Sequence, residues 1–136
     1  SAYDNMEIKA VAMGLNDKEK ITSLLQLVGL DPKERKHVGK YSLGMKQRLG
    51  IAVALLGNPD LLILDDFLLH TVTDEREIKV LFEIMEKRSE LCKSTIVCSQ
   101  REPNSWASMI LNDEVSANSI LKRATKHYTV VIKPRE

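Results

Sequence analysis

The stretch "NPDLLILDDFLLH", residues 58 to 70, decides how the rest of the chain is read. Gly57-Asn58-Pro59 is a turn signal. Four apolar residues follow at Leu61–Leu64, and Asp65 and Asp66 come directly after them. So uniform an apolar run predicts a short strand buried on both faces rather than a half-exposed edge. Two carboxylates at the end of such a strand suit a hard divalent cation and an ordered water. They also suit the plainer task of capping the next turn.

Working outward, the flanks alternate helix and strand. Residues 5 to 14 read as a short helix. Asn16 looks like the N-cap of a second, with Glu19 completing a capping box. Ile21, Leu24, Leu25 and Val28 keep helical spacing, and Gly29 stops the run. Asp31-Pro32 predicts another helix start, with Glu34 closing a second box. Ser42 caps the next helix, whose residues 49 to 56 are apolar almost all round and predict burial. Beyond the acids, Thr73 can cap a helix with Ile78, Leu81, Phe82 and Met85 on its apolar face. Residues 94 to 99 read as a second buried strand, 103 to 112 as irregular or helical around Trp106, 114 to 124 as a helix and 128 to 132 as a last strand. Trp106 is a core anchor. The alternation predicts an α/β fold with a mainly parallel sheet.

Composition narrows the classes. Among 136 residues, 43% are apolar and 29% charged, as in ordinary globular domains. The net charge of +1 argues for neither a nucleic-acid nor a membrane partner, although it is compatible with a local patch. Cys92 and Cys98 fit a reducing compartment and plain packing. No apolar run approaches the ~20 residues of a membrane span, and no signal peptide is present. The chain opens at Ser1 without a methionine, which fits a fragment or a processed chain.

The segment "YSLGMKQRLGIAVALLGNPDLLILDD" resembles the ATP-binding cassette (ABC) ATPases. Residues 41 to 45, Tyr-Ser-Leu-Gly-Met, sit where that family carries its signature motif, usually Leu-Ser-Gly-Gly-Gln, and Lys46-Gln47-Arg48 continues the match. Upstream, "SAYDNMEIKAVAMGL" and "LLQLVGLDPKERKHVGKYSLGMKQR" look like the helical subdomain of the drug- and peptide-export branch. The residues themselves support an anion-facing role: a helix opened at Ser42 has unpartnered N–H groups in its first turn, and Gly44 has no side chain to block approach. An ordinary N-cap on a core helix has the same features. The resemblance implies that Ser42, Gly44 and Gln47 meet ATP held by an opposite subunit. It further implies that Asp65 is the Walker B aspartate for Mg2+ and that Asp66 orients the attacking water. The pattern departs at Leu43 and Met45. It departs again after Asp66, where Phe67-Leu68-Leu69-His70 replaces Pro-Thr and the family's next loop, and at Cys98-Ser99-Gln100, where no switch histidine stands.

From "LDDFLL" through "LFEIMEKRSE", "STIVCSQREPNSW" and "NDEVSANSILKRATKHYTVVI", the chain looks like the IstB-like transposition helper ATPases, DnaC-like members of the AAA+ class. This second resemblance covers about residues 61 to 136. It implies a sensor role for Ser99 and Gln100 and an arginine finger at Arg123 toward a neighbouring subunit. Lys122, Arg123, Lys126 and His127 form a modest basic cluster, read first as a solvated face.

Two halves that resemble different families predict a hybrid, whether recombined, engineered or decayed. No Gly-x-x-x-x-Gly-Lys-[Ser/Thr] phosphate loop occurs in these 136 residues. The expected fold is a partial P-loop NTPase of three mainly parallel strands with flanking helices, without the Walker A strand and loop. It divides into an ABC-like part at 1–60 and an AAA+-like part at 61–136, together one incomplete domain. The expected function is ATP and Mg2+ binding by ancestry with little hydrolysis alone; the alternatives are an IstB-like DNA transposition accessory fragment or a non-catalytic module that completes a partner subunit's ATP site. Expected partners are another P-loop ATPase subunit, with a membrane permease on the ABC reading or a transposase and DNA on the IstB reading. The expected location is cytoplasmic.

Overall fold

The computed structural model describes residues 1–68, 72, 74–110, 114–126 and 129–131, with Ser116 by its backbone only. Contacts divide the chain into two units, Ser1–Leu62 and Ile63–Glu136.

The first unit is built on three helices. Helix α1, Ala2–Ala12, begins earlier than the periodicity suggests, because Ser1 and Asp4 form a reciprocal capping box. The Ser1 ammonium also sits 2.7 Å from the Asp4 carboxylate, and this pairing holds the Asp4 carboxyl below its usual range. Ala2, Met6 and Ala10 recur every fourth residue and are its buried face. Helix α2, Lys18–Leu27, is capped by Asp17 rather than Asn16; the Asp17 carboxylate accepts from the Lys20 N–H at 2.8 Å. Both residue types cap well, so propensity alone does not choose between the adjacent positions. Ile21, Leu24 and Leu25 are its buried face. Met6, Ile21 and Leu25 are among the largest fully buried side chains, each stabilising by about 1.5–3 kcal/mol.

No helix starts at Asp31-Pro32. The Asp31 carboxylate instead accepts from the Lys33 N–H at 2.8 Å, an Asx turn built from the residues that also signal a helix start. A short 3-10 turn at Val38–Lys40 leads to Ser42, which caps helix α3, Leu43–Leu55. This helix buries Leu49 and Ala52, and Leu56 follows as its buried C-cap. Gly50 and Ala54 are exposed, so α3 is not buried all round; one face has no element against it within its unit.

Strand β1, Leu61–Leu64, carries the unit boundary. It pairs with β2, Ser94–Val97. The Cys98 N–H donates to the Leu64 carbonyl at 2.8 Å and the Phe67 N–H to the Cys98 carbonyl at 2.9 Å, the staggered pattern of a parallel ladder. Helix α4, Glu75–Glu90, makes the crossover and packs on β2, as does α6, Glu114–Ala124. Neither strand is buried on both faces. Leu62 is buried, but Leu61 is 49%, Ile63 57% and Ile96 47% exposed, because among the described residues only one face of this two-stranded sheet is covered. An apolar run reports that a strand suits burial; it cannot report whether a second layer is there.

Thr73 lies outside the described residues; the cap of α4 is Asp74, accepting from the Arg76 N–H at 2.9 Å. At the other end of α4 the buried Arg88 donates to Thr95 Oγ1 at 3.0 Å and to the Ser94 carbonyl at 2.6 Å, tying the helix end to the start of β2. A second 3-10 turn, Pro103–Ser105, runs into the short helix α5, Trp106–Met109. Trp106 is buried as the core anchor, edge-to-face with Phe67 at 5.1 Å. Its indole N–H donates to the Arg101 carbonyl. Val72 and Ile110 add a single parallel bridge that the sequence pattern does not foretell. Of the expected last strand, residues 129–131 are described and are not strand, while Tyr128 and Ile132 lie outside the described residues.

Gly14 and Gly29 both hold positive φ, +71° and +66°, but in different surroundings. A Cβ on Gly14 would meet nothing within 4 Å; one on Gly29 would stand 3.0 Å from Arg48 Nη1. Gly14→Ala is expected to lose about 1 kcal/mol through left-handed strain alone, and Gly29→Ala about twice that, because it also displaces the guanidinium. Urea midpoints of the two variants check this, and equal losses would contradict it.

Candidate functional site

The signature-like segment lies in the first unit. Ser42 has extended backbone and its Oγ accepts from the Met45 N–H at 3.2 Å, so the hydroxyl is engaged in capping. Ser42 and Leu43 are exposed, Gly44 and Met45 half-buried, and Lys46 and Gln47 exposed. The N-terminal turn of α3 therefore faces solvent, with no acid in it. A turn of that kind offers N–H groups and positive partial charge to an anion.

Arg48 points the other way. It is buried, and its Nη1 donates to the carbonyls of Val28 at 3.1 Å and Gly29 at 2.9 Å. These carbonyls close the C-terminal end of α2, where a cation is favoured by both hydrogen bonding and the helix dipole. Arg48 thus fixes the start of α3 against the end of α2. Sequence reading saw Arg48 only as a continuation of the motif; the one available signal was Gly29, placed where a long side chain needs room. Tyr41, directly before Ser42, is also buried, and its hydroxyl makes no well-formed hydrogen bond among the described residues, only a weak approach by the Ala2 backbone. Burial pushes the Tyr41 phenol up from 10.0, and Glu34 adds to the rise, while the Ala2 backbone opposes it more weakly.

The paired acids lie in the second unit's share of the chain. Asp65 and Asp66 are both exposed. Asp65 Oδ1 accepts from the Asp66 N–H at 2.9 Å, turning one oxygen back on its own chain. Asp66 and Leu68 hold positive φ, +51° and +53°, on either side of the buried Phe67. Two left-handed non-glycine residues so close together mark a strained turn, held by its surroundings. Those surroundings are Ser99, whose Oγ donates to the Phe67 carbonyl at 2.7 Å, and Gln100, whose Nε2 donates to Asp66 Oδ1 at 3.2 Å. The Ser99 hydroxyl also accepts from the Arg101 N–H. The fold thus brings Asp65, Asp66, Ser99 and Gln100 together, with Ser99 as a staple and Gln100 as the group that steadies Asp66. Among the described residues no group of three His, Cys, Asp or Glu could hold a metal ion. The two carboxylates fit Mg2+ only as a partial set that phosphate oxygens and water would complete.

Arg123 is not a free guanidinium. Its Nη2 pairs with Glu86 Oε1 at 3.0 Å, its Nη1 bonds the hydroxyl and carbonyl of Ser119, and its plane lies over Phe82 at 5.2 Å. The expectation of an arginine reaching outward meets a side chain engaged within its own unit. Lys122 and Lys126 are exposed, as a solvated face requires, and His127 lies outside the described residues.

Residues 1–68, half of the 136, match the ABC transporter family. The chain belongs to that family. Its relatives include the bacitracin transport ATP-binding protein BcrA of Bacillus licheniformis, 43% identical over 94 residues that cover 59% of this chain and 31% of that protein. The lantibiotic transport ATP-binding protein SrtF of Streptococcus pyogenes is 48% identical over 66 residues, covering 48% of this chain and 28% of that protein. The BcrA protein of Enterococcus faecalis is 47% identical over 66 residues, 21% of its length. The chain spans less than a third of each. The first alignment covers more of the chain than the 68-residue family match, so likeness to ABC proteins runs past Leu68. Nothing in these comparisons supports the likeness of residues 61–136 to IstB-like ATPases, nor the hybrid built on it. Among the described residues no helix is long and apolar enough to cross a membrane.

Tyr41 gives a test of the signature segment's anchoring. A phenol harder to ionise when folded contributes stability that is intact below pH 10 and lost as pH rises beyond it, because the unfolded chain ionises first. Tyr41→Phe is expected to remove that alkaline loss. At neutral pH it is expected to gain about 1 kcal/mol or less by deleting a poorly partnered hydroxyl. Urea unfolding at pH 7 and above pH 10 reads both effects.

Proposed function

We propose that these residues are the signature-bearing and Walker B portion of an ABC ATPase of the drug- and peptide-export branch, acting with a phosphate loop supplied outside these 136 residues. The observation that carries this reading is the family match over residues 1–68, combined with an α3 N-terminus that faces solvent at Ser42 and Gly44. In this reading Ser42, Gly44 and Gln47 contact the terminal phosphate of ATP held by a second P-loop subunit. Asp65 contributes to the Mg2+ site, and Asp66, steadied by Gln100 Nε2, orients the attacking water. Bound ATP supplies the scissile anhydride. Ser99 acts by holding the strained turn that places Asp66.

The names of the relatives point to bacitracin and lantibiotics. We extend these to peptide-like cargo for the complete protein, moved through a membrane permease. The Leu43 and Met45 departures leave the motif's serine and second glycine in place. Arg123 is assigned no catalytic part, since its donors are engaged by Glu86 and Ser119.

Without a nest of N–H groups or a lysine for the β- and γ-phosphates, these residues alone bind nucleotide poorly. Calorimetry of the chain with Mg-ATP is expected to give no saturable heat in the micromolar range, and micromolar binding would overturn that part. Added to an ABC subunit with an intact phosphate loop and a disabled signature, the chain is expected to raise ATP turnover. Ser42→Arg in this chain is expected to abolish the rise. No rise with the unaltered chain would contradict the reading.

A further inference from the structure

Four residues of the second unit close on one another in a ring. The Trp106 indole stands edge-on to Phe67, with centroids 5.1 Å apart and planes at 64°. The Phe67 carbonyl accepts from Ser99 Oγ at 2.7 Å. The same hydroxyl accepts from the Arg101 N–H at 3.2 Å. The Arg101 carbonyl accepts from Trp106 Nε1 at 3.2 Å, which completes the circuit. Phe67 and Trp106 are buried in one core cluster. Asp66 directly precedes Phe67, and Gln100 lies between Ser99 and Arg101. The ring therefore fixes the backbone beside Asp66 and on both sides of Gln100, the two residues joined by the 3.2 Å bond from Nε2 to Oδ1.

We propose that Trp106 is a positioning residue for Asp66, acting through the Phe67 ring on one side and the Ser99–Arg101 loop on the other. Asp66 and Gln100 are both exposed. A hydrogen bond between two exposed side chains competes with water and must offset the freedom that each loses. The ring removes backbone freedom beforehand, so the bond forms between groups already in place. A buried tryptophan needs apolar contact and one acceptor for its N–H. Here the ring it meets is Phe67 and the acceptor is the Arg101 carbonyl, so both contacts end within one residue of the Asp66–Gln100 pair. The left-handed backbone of Asp66 and Leu68 on either side of Phe67 requires such support. That the placed Asp66 then orients water for ATP hydrolysis rests on the proposed ATPase function; its placement by Trp106 does not.

Trp106→Phe keeps an aromatic ring against Phe67 and deletes the N–H. Heteronuclear NMR of the chain without nucleotide reads the Gln100 side-chain amide and the Asp66 and Arg101 backbone amides, and the variant is expected to shift all three. Ile84→Ala opens a cavity on α4 outside the cluster that holds Phe67 and Trp106. It is expected to lower the thermal midpoint and to leave those signals in place. Ser99→Ala breaks the ring with Trp106 intact and is expected to move the indole N–H resonance of this chain's one tryptophan, which decides the matter if Trp106→Phe does not fold. Paired with an ABC subunit that has an intact phosphate loop and a disabled signature, Trp106→Phe is expected to lower kcat about ten-fold or more and to change the KM for ATP less than about two-fold. Unmoved Gln100 and Asp66 signals in Trp106→Phe, equal shifts in Ile84→Ala, or an unmoved indole resonance in Ser99→Ala overturns the proposal. An unchanged kcat in an active pairing overturns it too. If the unaltered chain raises no turnover, the ATPase reading falls instead, and the NMR comparison alone decides whether Trp106 places Asp66.

Discussion

The buried guanidinium of Arg48 is the constraint on which the first unit depends. Removing so strong a donor set from water is unfavourable unless acceptors replace the water. Val28 and Gly29 supply two carbonyls at 3.1 and 2.9 Å. Nε is left without a partner among the described residues, so the carbonyl pair carries the compensation. The same bonds satisfy acceptors that α2 leaves open at its C-terminal end. One interaction therefore closes α2, fixes the rotation of α3 about its axis, and leaves Ser42, Leu43, Lys46 and Gln47 facing outward. Gly29 belongs to this device twice: it takes the positive φ that ends α2, and its missing side chain leaves room for Arg48.

The second unit solves a different problem. A strand that ends in two acids must turn at once, and the turn here uses two left-handed non-glycine residues. Strain of that kind persists only when packing over-determines it. Phe67 at the turn's centre and Leu68 directly after it are buried, Trp106 packs edge-on against Phe67, and Ser99 and Gln100 bond the turn from the end of β2. The acids are thereby held exposed rather than folded into the core. Among the described residues the sheet keeps one open face with Ile63 and Ile96 exposed, although parallel strands are ordinarily covered on both sides.

Much of this was legible where the signal is local. Ser42 as a cap, Gly29 as a stop, the β1 segment, the α6 span and Trp106 as an anchor each follow from a short pattern with one physical meaning. The slip from Asn16 to Asp17 and the false helix at Asp31-Pro32 share a cause: Asx side chains accept from nearby N–H groups in caps and in turns alike. Burial was overestimated for both strands and for α3, since an apolar run does not disclose which faces acquire a neighbour. The contacts that hold the candidate residues within each unit were not legible at all. Arg48 meets carbonyls about twenty residues away, Gln100 meets Asp66 across thirty-four, and Arg123 meets Glu86 across thirty-seven. Such pairs leave no periodic trace. The resemblance of the carboxy-terminal half to a second family rested on short segments, and the ABC likeness extends into that half.

If Arg48 presets α3, amide hydrogen exchange on the chain alone reads it directly. The account predicts that α3 amides beyond the first turn are protected without ATP. It predicts that Arg48→Met lowers protection in α3 and at the end of α2 together, by about ten-fold or more, while α4 and α6 keep theirs. An α3 that exchanges freely in the unaltered chain, or that keeps full protection in Arg48→Met, would contradict it.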